Sequence, residues 1–147
     1  SPSAAGTPAG TDAIKVATAA PVSGDENDNY ERAQGLRRIG NYQGAISAFQ
    51  GFITRFPKST LAPRAQYWIG DSYFNLRDFK SAITSQQKLI AAYPDSSSVP
   101  DALLNMASSQ LESGDTAAAR KTMDGLIARY PTAEASEKAR RRLANLR

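Results

Sequence analysis

The 147 residues contain no histidine and no cysteine. That removes the commonest general base, the commonest transition-metal ligand and all thiolate chemistry. Catalysis would have to rest on carboxylates or lysine. Asp71, Asp101 and Glu112 form the one acidic set that a helical reading brings near to one another, and such a set holds a hard cation weakly. Their spacing matches no ligand motif, so no metal and no cofactor are expected, and an enzyme is the poorest of the readings. The densest basic run, Arg140–Arg142 with Lys138 and Arg147 beside it, has no aromatic residue near it to stack a base. It is expected to be the solvated face of a helix that attracts at most an acidic segment, and no nucleic-acid partner is expected. Net charge is +4, which favours anionic partners only mildly.

The elements that would position these groups show in an internal repeat. Phe56-Pro57, Tyr93-Pro94 and Tyr130-Pro131 stand 37 residues apart. Aligned on that spacing, Ala45, Ala82 and Ala119 coincide, as do Phe52, Leu89 and Leu126. The stripe Ala45, Phe49, Phe52, Phe56 follows one face of a helix, and Ala82, Gln86, Leu89, Tyr93 and Ala119, Met123, Leu126, Tyr130 repeat it. Each stripe stops at a proline, which disfavours a helical residue before it. A fixed period of this size marks a stacked array whose units cannot bury their apolar faces alone.

A second helix precedes each stripe, over about 26–39, 61–76 and 98–113. Breaks are expected at Gly40-Asn41, Arg77-Asp78 and Gly114-Asp115, where Gly suits a left-handed cap and Asn or Asp starts the next helix. Ser59-Thr60 and Ser96-Ser97 offer further N-caps, with Pro63 and Pro100 in the first turn. Residues 1–25, mostly Ala, Pro, Ser, Thr and Gly, are expected to be a flexible linker. Residues 26–147 are expected to be one domain with repeats at 26–60, 61–97 and 98–133 and a capping helix at 134–146. Gly35, Gly44 and Gly51 fall inside helices of the first unit. Each costs about 1 kcal/mol relative to Ala, so the first unit is expected to fray first. No run is long and apolar enough to span a bilayer, and no direct membrane insertion is expected.

The helix pairs resemble the tetratricopeptide repeat (TPR). Ile69-Gly70, Tyr73, Ala82 and Pro94 sit at that motif's spacing, whereas Ala33 and Ala107 stand in place of Gly70, and Leu36 and Gln110 in place of Tyr73. The resemblance implies an all-α, right-handed superhelix whose first helices line a concave groove. Carried onto this chain, the groove positions are Tyr30, Gln34, Arg37 and Arg38, then Arg64, Tyr67, Asp71, Phe74 and Asn75, then Asp101, Leu104, Ser108, Leu111 and Glu112. Aromatic and Leu anchors with charges of both signs suit an extended or helical peptide. Tyr30, Tyr67 and Leu104 equally suit packing between helices. Trp68 is either a partner anchor or the cover of the seam with unit one.

Residues 28–147, through runs such as FPKSTLAPRAQYWIGDSYFNLRDFKSAI and AARKTMDGLIARYP, resemble the C-terminal TPR domain of the YbgF/CpoB family of Tol-Pal accessory proteins. That resemblance implies a Gram-negative periplasmic location, with a signal peptide and a coiled coil lying outside this sequence. It implies protein partners, namely a TolA-like periplasmic segment and a penicillin-binding peptidoglycan synthase, and a role coordinating septal wall synthesis with outer-membrane constriction. Without the coiled coil, a monomer or weak dimer is expected. The alternative is a TPR component of a Bam-like outer-membrane assembly complex.

Overall fold

The computed structural model describes residues 24–146. Seven α-helices follow one another: α1 (Gly24–Arg38), α2 (Tyr42–Arg55), α3 (Ala62–Asn75), α4 (Phe79–Ala92), α5 (Val99–Glu112), α6 (Thr116–Arg129) and α7 (Glu134–Asn145). No strand occurs among the described residues. The linker expected over 1–25 lies outside them except at Gly24 and Asp25, which already belong to α1.

The turn inside each helix pair is the same device three times. Gly40, Arg77 and Gly114 take positive φ (83°, 63° and 89°). The next N–H reaches back to Leu36, Tyr73 and Gln110 carbonyls at 2.8–2.9 Å, which closes the helix end. Asn41, Asp78 and Asp115 then accept from the N–H groups of Gly44, Ser81 and Ala118 and start the second helix. The second helices end alike too. Phe56, Tyr93 and Tyr130 leave the helical region at φ near −130° (−126°, −132° and −130°), as a residue before proline must.

The expected serine caps are corrected. α3 and α5 start from Leu61 and Ser98, neither with a side-chain cap. Ser59 and Ser96 instead accept from the N–H two residues on, at Leu61 and Ser98. The connection after proline folds into successive tight turns (Ser59 N–H to Phe56 O, Ala62 N–H to Ser59 O), so the serine hydroxyl is spent there and cannot reach the helix.

Each helix packs on its sequence neighbours. In addition, α3 touches α5 and α5 touches α7, whereas the even-numbered helices make no comparable contacts with one another among the described residues. The odd helices are therefore the crowded inner wall of a curved stack, and the even helices form the splayed outer wall. Three buried clusters run along the interior. Tyr30, Phe49, Phe52 and Ile69 fill the first, Leu89, Val99 and Ala102 the second, and Met123, Leu126 and Ala139 the third.

Gly35 and Gly51 have open space where a Cβ would stand, while Gly44 is crowded by its capping Asn41. Gly35→Ala and Gly51→Ala are each expected to raise stability by about 0.5–1 kcal/mol by removing the entropy cost of helical glycine. A urea midpoint that falls in both variants would contradict this.

Candidate functional site: the inner wall

The wall is best defined where α1 meets α3. The Tyr30 ring sits in the core, edge-on to Phe49 and Phe52 at 5.6 and 5.7 Å. Its hydroxyl accepts from Trp68 Nε1 at 3.1 Å and from Gln34 Nε2 at 3.2 Å. Gln34, also buried, accepts from Arg37 Nε at 2.6 Å. The Arg37 guanidinium then lies 3.9 Å over the Trp68 ring. Tyr30 and Gln34 thus support the groove from beneath, and Arg37 and half-buried Trp68 form its surface. Trp68 covers the seam with unit one and presents a face at the same time.

On α3, Tyr67 and Trp68 meet edge to face at 5.0 Å. The Arg64 guanidinium stands 4.2 Å over Tyr67 and donates to Asp101 of α5 at 3.0 Å. Burial, with the Asp71 and Asp101 carboxylates nearby, pushes the Tyr67 phenol up to about 12. Its hydroxyl stays protonated and makes no hydrogen bond among the described residues. Burial also pushes the Asp71 carboxyl up, against the pull of Arg37 and Arg64. No ion pair relieves it among the described residues; its side chain accepts only from Asn75 Nδ2 at 3.2 Å. A phenol that makes no hydrogen bond among the described residues and a half-buried carboxylate that feels Arg37 and Arg64 but forms no ion pair therefore stand on one ledge.

The remaining predicted positions spread along the wall. Phe74 is half-buried, edge-on to Phe79 at 5.5 Å. Asn75 turns back onto the Asp71 carbonyl. Arg38 is exposed and pairs with Glu31 at 3.5 Å. Leu104 and Leu111 are half-buried against the third cluster, and Ser108 accepts from Arg142 of α7. Glu112 pairs with Arg77 across units at 3.4 Å, and Asp101 is taken by Arg64. Asp71, Asp101 and Glu112 therefore do not come together, and no three-acid cluster occurs among the described residues. No described helix is long and apolar enough to cross a membrane.

Comparison with known proteins agrees with this geometry. A tetratricopeptide-repeat profile matches residues 30–97 and a second matches 101–133. The seven-helix stack and both matches define a tetratricopeptide-repeat array, a fold that holds protein partners. Among solved structures, the second TPR domain of human RPAP3, in complex with the HSP70 peptide SGPTIEEVD, superposes with a TM-score of 0.65 over 82% of this chain and 96% of that one, at 12% identity. Among curated proteins, the cell division coordinator CpoB of Escherichia coli (strain K12) is 43% identical over 58 residues. That stretch is 38% of this chain and only 22% of the length of CpoB.

Proposed function

We propose that this chain is a non-catalytic interaction module of the bacterial cell envelope. In this reading it works in the periplasm and coordinates peptidoglycan synthesis with outer-membrane constriction at division through the Tol-Pal system. Its partners are a TolA-like periplasmic segment and a penicillin-binding peptidoglycan synthase, and it acts as a monomer or weak dimer. The observation that carries the binding role is the ledge of half-buried Tyr67 and Trp68, edge to face at 5.0 Å, with the half-buried Asp71 carboxylate beside Tyr67 in no ion pair among the described residues. The local likeness to CpoB supports the cellular setting.

A partner segment lying along the wall fits between Arg37 and Phe74, with an apolar side chain against Tyr67 and Trp68 and a donor toward Asp71. Aromatic anchors of this kind dominate binding energy. Calorimetric titration with the periplasmic segment of TolA tests the reading. Tyr67→Ala and Phe74→Ala are each expected to weaken binding about tenfold or more, roughly 1.4 kcal/mol. Unchanged affinity in both variants would move the site off the inner wall. No heat with the wild type would remove the Tol-Pal assignment and leave the Bam-like one standing.

A further inference from the structure

The 37-residue register continues past the third proline. Ala65 and Ala102, both fully buried on the first helices of units two and three, are followed at the same interval by Ala139, fully buried on α7. Ala62 and Val99 are followed by Ser136, again buried. α7 is therefore placed as the first helix of a fourth unit, and its groove positions can be read by the same count. Lys138 follows Arg64 and Asp101, Arg141 follows Tyr67 and Leu104, Arg142 follows Trp68 and Asn105, and Asn145 follows Asp71 and Ser108. What looks like a solvated cap carries the groove face of the array, and there that face is basic.

These residues do line a cleft. Between α5 and α7 an open cleft of about 530 Å³ is bounded by Leu111, Lys138, Arg141, Arg142, Asn145 and Leu146. Its apolar surface comes from Leu111 and Leu146, both half-buried against the third core cluster. Arg142 donates to Ser108 and ties α7 to α5. The corresponding seam at the other end of the wall is occupied, because the Arg37 guanidinium lies on Trp68 there. The cations are poorly neutralised. Glu137 meets Arg140 at 3.4 Å and Arg141 at 3.6 Å in exposed pairs, which contribute little. Lys138 has no ion pair among the described residues.

We infer that the α5–α7 cleft is a distinct subsite for an acidic protein segment, taking an apolar side chain between Leu111 and Leu146 and carboxylates against Lys138 and Arg141. The inference rests on the reading that the inner wall receives a protein segment, and it gives that segment a direction. Its acidic part lies at the α7 end and its aromatic-contacting part at the α1–α3 end. Opposite charges at a rim of this kind set register and partner choice.

The test uses the full chain labelled with nitrogen-15 and a twelve-residue Gly/Ser peptide carrying one Leu followed by three Glu. Saturable shifts are expected at the amides of Leu111, Lys138, Arg141, Asn145 and Leu146. The exposed double variant Lys138→Glu/Arg141→Glu should weaken binding tenfold or more with an unchanged circular dichroism spectrum. A probe with Leu→Ser should bind several-fold less tightly, and Tyr67→Ala should leave the probe's affinity as it was. Absence of saturable shifts in the wild type, or equal affinity for the double variant, would overturn the subsite. So would co-sedimentation with anionic phosphatidylglycerol vesicles, lost in the double variant, when the peptide does not bind. If the TolA segment binds in a Tyr67-dependent way while the probe does not, the subsite fails and the functional reading survives.

Discussion

Phe49→Ala is expected to lower the unfolding free energy by about 3–5 kcal/mol, the cost of emptying a large aromatic site that cannot collapse. Phe49 has no solvent exposure, and with Phe52 it holds the Tyr30 ring in the edge-on contacts that join α1 to α2. Among the described residues the first pair packs against α3 alone, so loss of this ring is not shared out along the array. Urea denaturation measures the loss, and amide exchange should place it in α1 and α2 before α5 and α6. A loss below about 1 kcal/mol, at the level of an ordinary surface change, would mean that the aromatic cluster does not govern the first repeat. The Tyr30 hydroxyl anchors Trp68, so the same variant should also disorder the ledge.

Gly70→Ala carries the second large effect. A Cβ at this position would stand 2.2 Å from Gln86 Nε2 and 2.6 Å from Cδ. Gln86 is fully buried; its amide nitrogen donates to the Tyr67 carbonyl at 3.2 Å and Asn105 Oδ1 at 3.1 Å, while its Oε1 finds no partner among the described residues. The added methyl must displace it, leaving buried polar groups unmatched at a cost of about 1–3 kcal/mol each. In a Gln86→Ala background the methyl meets empty space, so the two changes should be non-additive by about 1 kcal/mol or more. Strict additivity in a double-mutant cycle would show that the glycine is kept for another reason. The equivalent first-helix positions are Ala33 and Ala107 and the equivalent second-helix positions are Phe49 and Met123. The smaller residue thus accompanies the side chain that crosses the seam.

Much of this was legible because its causes are local. Proline after an aromatic residue ends a helix wherever it occurs, and Asn41, Asp78 and Asp115 cap the helices that the breaks before them predict. Buried Gln86 could be placed in the apolar stripe by register alone. The groove was read less completely, since its residues depend on how neighbouring units lean together. Tyr30 and Gln34 share the register of Tyr67 and Asp71, yet they lie beneath Trp68, and only the stacked structure shows that a later unit covers an earlier one. Ser59 and Ser96 were misplaced because a hydroxyl before a helix can cap it or close a tighter turn, and the successive tight turns after proline engage it first. Lys138 and Arg141 belong to the basic run that the sequence already opens to an acidic segment, but their place on the groove face does not show there. Their charge reads as solvation until Ala139 is seen to continue the series of Ala65 and Ala102.

Trp68 is the one tryptophan in the chain. Its indole is tethered to Tyr30 and roofed by Arg37 at the joint between the first two repeats. The protein therefore carries its one indole at a single joint. Its emission follows opening of that joint, while the far end of the array can change without altering the signal.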